Sequence, residues 1–118
     1  MVRADRRSEI IKRLVELALA APLPAGSRSI RGGPSGSLVV HEGYAWRGRT
    51  VWVDKRKGYD RLIATVQEYE IDGALFLAAV FPDLRPGTHR VREMDMGEEG
   101  RTAEVLIDVG RVVSLDWS

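Results

Sequence analysis

The chain has no cysteine anywhere in its 118 residues. Disulfide staples, thiolate zinc sites and cysteine nucleophiles are therefore excluded, and the composition fits a cytoplasmic protein. Histidine is scarce too, with only His41 and His89. No Gly-x-Ser-x-Gly elbow presents a serine, so a Ser–His–Asp arrangement has no support. A metal site built on the two histidines, helped by Glu42 or Asp83, would have a spacing unlike the zinc motifs. No apolar run approaches the ~20 residues that a membrane span needs. The first residues place bases before an apolar stretch, as a signal peptide does. Glu16 interrupts that stretch, however, and Asp5 and Glu9 sit where only bases belong. Net charge is nearly missing as well. Lys and Arg total 18 against 17 Asp and Glu, leaving +1, which neither demands nor forbids a polyanionic partner.

What is present is a core. Hydrophobic residues make up 44% of the chain and charged residues 30%, the proportions of one folded domain. A chain of this size buries roughly two-thirds of its unfolded surface, which leaves little volume for an enclosed cavity.

Three stretches are read in order. Residues 1–21 contain an amphipathic helix from Asp5. Ile10, Ile11, Leu14, Val15, Leu17, Ala18 and Ala21 fall on one arc at 100° per residue, opposite Glu9, Lys12, Arg13 and Glu16. Pro22 ends it. The stripe has two uses open to it: packing on the chain's own sheet, or docking on a partner chain or second copy through Ile10, Ile11, Leu14, Leu17 and Ala18. Residues 22–37 are rich in Pro, Gly and Ser and read as a linker. Their glycines lack the Gly-Lys-Ser/Thr ending of a phosphate-binding loop.

Residues 38–118 change to short strands. The runs are Leu38–His41, Arg49–Asp54, Leu62–Ile71, Ala74–Phe81, Thr88–Met94, Thr102–Val109 and Arg111–Trp117, with turns at Gly73, Pro86–Gly87, Met96–Gly100 and Gly110. A helix over Tyr59–Tyr69 is the alternative for the third run. Ala74–Phe81 is apolar on both faces, as a central strand is. Seven short strands after one helix predict a mainly β fold, an Ig-like or prealbumin-like antiparallel β-sandwich; a small barrel is the alternative.

Gly48, Val51 and Val53, then Phe81, Leu84, Pro86, Gly87, Thr88 and Val91, then Gly110, Val112 and Leu115 form a pattern that resembles the prealbumin-like sandwiches called carboxypeptidase regulatory-like domains. The resemblance covers Gly48 to Trp117 and implies a non-catalytic module appended to other proteins.

Chemistry-bearing clusters are few. Asp95, Glu98 and Glu99 lack the alternating oxygen ligands of a calcium loop. The most distinctive run is Tyr44–Arg61, where Tyr44, Trp46 and Tyr59 interleave with Arg47, Arg49, Lys55, Arg56, Lys57 and Arg61. Aromatics beside Arg and Lys stack bases or sugars and pair with phosphates; the plain alternative is core aromatics beside a solvated hairpin tip. Glu93–Asp108 holds six acids against one Arg, so charge pairing within a complex is equally natural. The sequence thus predicts a non-enzymatic adaptor or accessory subunit without cofactor or metal, whose partner is another protein chain or a second copy. The alternative is a carbohydrate- or nucleic-acid-binding sandwich that uses the Tyr44–Arg61 surface.

Overall fold

A computed structural model describes residues 3–20, 35–54 and 61–118. One helix, α1 (Arg3–Ala20), precedes eight strands: β1 (Gly36–Glu42), β2 (Thr50–Asp54), β3 (Arg61–Thr65), β4 (Gln67–Ile71), β5 (Ala74–Leu84), β6 (Gly87–Asp95), β7 (Glu98–Ile107) and β8 (Val112–Trp117). A 3₁₀ turn, Tyr44–Trp46, separates β1 from β2. The strands form two sheets, ordered β4-β5-β1-β8 and β3-β2-β6-β7. The fold is a β-sandwich with an N-terminal helix. Its pairs are antiparallel except β1 with β8, which run parallel from Ser37↔Val112 to Glu42↔Trp117.

Alternation along each strand builds the space between the sheets. Leu38 and Val40 of β1, Ala79 and Phe81 of β5, Val51 and Val53 of β2, Val91 of β6, and Val105 and Ile107 of β7 meet in one cluster. Burying such side chains is the main favourable term in folding. Phe81 and Leu84 stand before the Arg85–Pro86 corner and Val91 after it, and all three are in this core. The corner carries the chain from one sheet to the other.

A second apolar layer lies outside the β1-containing sheet. Leu14 and Val15 of α1 are buried there with Val39, Ala78, Val80 and Ile71. Ile10, Ile11 and Ala18 pack at its margin. The helical stripe therefore lies on the chain's own sheet. Apolar character on both faces of β5 follows, because one face meets the sandwich core and the other meets α1. Among the described residues, no helix is long and apolar enough to cross a membrane.

Three boundaries differ from the sequence expectation. The run 61–71 is two strands in two sheets. β3 pairs with β2 and β4 pairs with β5, and the chain crosses at Val66. That residue is buried in the core; its N–H donates to Arg49 O at 2.8 Å and its carbonyl accepts from Gly48 N at 2.9 Å. The turn expected over Met96–Gly100 needs only Met96–Gly97. Both have positive φ, 53° and 87°, as do Asp72 and Gly73 at 53° and 82°, the two-residue geometry that matches strand twist. The Pro/Gly/Ser-rich stretch lies mostly outside the described residues, and Gly36 and Ser37 from its end already belong to β1.

Gly36 is there because β1 passes close under the β7–β8 turn. A Cβ at this position would lie 2.3 Å from Asp108 O and 2.7 Å from Ile107 Cγ2. Gly36→Val is expected to destabilise the domain by at least the roughly 1–3 kcal/mol of an overpacked core. Urea midpoints for Gly36→Val and for Gly43→Ala, where an added Cβ meets nothing within 4 Å, check this. Equal midpoints would refute the close approach.

Candidate functional site

The site grows from a mismatch in strand length. β1 pairs with β5 only as far as His41↔Ala78. It then leaves through Gly43, which is extended at φ −81° and ψ 168°, into the 3₁₀ turn toward the opposite sheet. The β4–β5 hairpin continues, with pairing down to Ile71↔Ala74. Ala74–Phe76 thus projects past the end of β1, whose last residue, Glu42, is level with Leu77 in this register. Among the described residues, it has β4 on one side and no strand on the other.

The space left beside it is a notch of about 710 Å³, open to solvent. Ile10 and Ile11 of α1 form one wall, and Leu75, Phe76 and Leu77 form another. Tyr44 stands over the opening, and the ends of β1 and β8 close the back with His41, Glu42, Asp116 and Ser118. Glu68 of β4 completes the rim. Phe76 belongs to the α1-facing layer and Leu77 to the sandwich core, so the notch reaches both faces of the sheet.

Charge on the rim is arranged by neighbouring strands. Arg47 lies over the Tyr44 ring at 5.7 Å and reaches Glu68 Oε1 at 3.4 Å. Ser118 donates to Asp116 Oδ1 from its N–H at 3.0 Å and its hydroxyl at 2.6 Å. No Lys or Arg lines the notch itself among the described residues.

Behind the notch, between the sheets, sits a polar clasp. Glu42 of β1 and Glu93 of β6 occupy inward positions, their side chains 0% and 1% exposed. Arg101 of β7 reaches both. Its Nε and Nη2 donate to Glu93 at 3.1 Å and 3.0 Å, its backbone N–H donates to Glu93 Oε1 at 2.7 Å, and its Nη2 lies 3.5 Å from Glu42 Oε1. The guanidinium lies 5.6 Å from the centre of the Trp117 ring. Burial, the hydrogen bond to Glu93 and repulsion from it push the Glu42 carboxyl up to about 8, against the pull of Arg101. Burial would raise Glu93 as well, but the hydrogen bonds from Arg101 and Glu42 outweigh it and hold that carboxyl below its ordinary value. The pair keeps one proton and one negative charge, and Arg101 balances the charge.

The residues singled out from sequence are dispersed by the fold. Ile10, Ile11 and Tyr44 meet at the notch. Leu14 and Ala18 are in the helix–sheet layer, while Leu17 is 40% exposed. Trp46 turns inward against the core, with Arg49 over it at 5.8 Å and ion-paired to Asp95. Arg61 lies on the opposite sheet, 4.4 Å over Trp52 and 3.2 Å from Asp54. Lys55, Arg56, Lys57 and Tyr59 lie outside the described residues. The described cations of this run are each matched by a carboxylate from a neighbouring strand. His89 is at the other end of β6, donating from Nε2 to Arg85 O at 2.7 Å, away from His41. Among the described residues, no group of three or more His, Asp or Glu side chains is placed to hold a metal ion.

Sequence reasoning did not single out Leu75, Phe76, Glu68 or Asp116 for the site, or the clasp. The clasp had a signal. Glu42 follows Leu38 and Val40 on the apolar parity of its strand, Glu93 follows Val91, and Arg101 precedes Ala103 and Val105. A charge on the buried parity requires a partner. No protein-family model matches this chain, and no curated protein does.

Proposed function

We propose that the chain is a non-enzymatic accessory module that binds a partner protein, and that the notch is its contact site. The carrying observation is the open mouth of the notch. Tyr44 and Leu75 stand there 68% and 65% exposed, beside apolar walls and an acidic rim. Aromatic and aliphatic anchors beside a pocket are what protein contacts use. The likeness of Gly48–Trp117 to appended sandwich modules supports the same reading.

Tyr44→Ala combined with Leu75→Glu tests it. Both side chains are mostly in water, so stability is expected to stay within about 0.5 kcal/mol per substitution. A partner that wild type retains in stoichiometric amount is expected to bind the double variant at least about thirtyfold more weakly, as loss of an anchor costing over 2 kcal/mol implies. The partner is captured from its native source, purified and titrated by calorimetry. Equal affinity for both proteins would remove the notch as the contact site.

A further inference from the structure

The clasp between the sheets holds two buried acids and one base, and its grip on the two acids is unequal. Glu93 accepts three bonds from Arg101, at 2.7 Å, 3.1 Å and 3.0 Å. Among the described residues, Glu42 meets a base only at Arg101 Nη2, 3.5 Å away, and no donor makes a hydrogen bond to either of its carboxyl oxygens. With a proton, Glu42 donates to Glu93 and one negative charge faces one guanidinium. Without it, two carboxylates share that guanidinium while their side chains are 0% and 1% exposed. A buried charge lacking its own partner is costly enough to drive movement, and Glu42 is the acid held less firmly.

The backbone decides what moves with it. Glu42 is the last residue of β1, one position beyond the final pair with β5, His41↔Ala78. Its remaining pairing is with Trp117 of β8. Gly43 follows, where even an added Cβ would meet nothing within 4 Å. Then comes the Tyr44–Trp46 turn, which has no side-chain cap and no buried residue. Segments held this lightly open locally before the whole domain does. Trp46 ties this turn to the clasp. A Cβ on Gly100 would lie 2.8 Å from Glu93 Oε1 and 3.0 Å from Trp46 Cζ2, so the Trp46 ring packs beside the Glu93 carboxylate. The notch, which Glu42 also borders, gives a freed carboxylate a route to water.

We infer that the Glu42–Glu93–Arg101 clasp is a proton-operated latch: protonated, it holds the end of β1 and the Tyr44–Trp46 turn against the sandwich, and deprotonated, it releases Glu42 toward the notch and the turn swings out with Trp46. The latch stands apart from the notch's role as a contact site, although release would also displace Tyr44 at its mouth. The charged groups facing Glu42 between the sheets are Glu93 of β6 and Arg101 of β7. On the notch side stand His41 of β1, Asp116 of β8 and Glu68 of β4, the last already paired with Arg47 at 3.4 Å. In the open form Glu42 titrates as an ordinary carboxyl near 4.5, and in the closed form at about 8. The ratio of open to closed chains therefore rises about tenfold per pH unit between those values and levels off above them.

The test uses the full chain with 5-fluorotryptophan in place of its three tryptophans, the fluorine signals being assigned through single Trp→Phe variants. The shift difference between H₂O and D₂O reads the exposure of each ring. For Trp46 it is expected to rise at least about twofold from pH 5 to pH 9, while Trp52, on the outer face of the opposite sheet, keeps its value. Glu42→Gln has no proton to lose and should hold Trp46 at its acid value throughout. An unchanged Trp46 signal in the wild type overturns the latch. So does a rise shared with Trp52, which marks global unfolding, or an equal rise in Glu42→Gln, which assigns the change to another group such as His41. Should Glu42→Gln fail to fold, the side-chain carboxyl ¹³C signal of Glu42 in the wild type takes its place. Its titration and the Trp46 change must then share one midpoint, and separate midpoints overturn the latch.

Discussion

Arg101→Ala is expected to lower stability by about 3–5 kcal/mol at neutral pH, because it strips a buried carboxylate pair of its counter-charge. Glu93 would lose the bonds now made by Nε and Nη2 at 3.1 Å and 3.0 Å and would have to take up a proton or remain charged in the core. The same clasp sets a pH dependence with a definite sign. Glu42 titrates near 4.5 when unperturbed and near 8 in the fold. The folded protein thus binds an extra proton between those values. Its stability falls as pH rises from about 4.5 to about 8 and stays at the lower level above that. Glu93, held below its ordinary value, acts in the opposite sense: its contribution is present above the unfolded carboxyl pKa and lost as pH falls through its folded one. Glu42→Gln mimics the protonated side chain and should abolish the alkaline decline while keeping the acid limb. Urea midpoints for both proteins between pH 3 and 9 decide the matter. Parallel curves would mean that Glu42 is not the proton-holding group.

Leu14→Ala should be nearly as damaging, costing about 2–5 kcal/mol, the usual range for emptying a fully buried leucine site. The residue is 0% exposed although it belongs to the one helix of the fold. It closes the layer formed by Val39, Ala78, Val80 and Ile71. Leu17, three positions along, is 40% exposed and serves as the control. Leu17→Ala should cost under about 1 kcal/mol. Equal losses at the two positions would mean that α1 does not lie on the sheet as described. If Leu14 behaves as expected, the helix is a structural layer first, and its contribution to binding is confined to Ile10 and Ile11 at the notch.

Much of this architecture was legible because the signals are local. The helix follows from one apolar arc between Asp5 and Pro22. Most strands follow from alternation between turn residues, and Asp72–Gly73 is a turn signal of known geometry. The illegible parts depend on residues far apart in sequence. Nothing in Leu62–Ile71 marks a sheet switch, because Val66 at the crossing is a β-branched apolar residue that suits either strand. The parallel pairing of β1 with β8 joins the first strand to the last and leaves no trace in either. The excess of Arg around Tyr44–Arg61 is plain in sequence, but its neutralisation depends on Asp95 and Glu68 arriving from β6 and β4. The notch was hidden for a related reason. Its defining feature is that β5 outruns β1, and the length of a pairing is not written in either strand alone.

The central claim, that the notch is where the partner binds, is tested most directly by mapping amide chemical shifts of the ¹⁵N-labelled chain as the purified partner is added. The account predicts perturbations concentrated at His41–Tyr44, Ala74–Leu77 and Asp116–Ser118, with little change on the outer face of the opposite sheet. Perturbations centred instead on Trp52, Ile63 and Arg92, which share a row across that face, would contradict it.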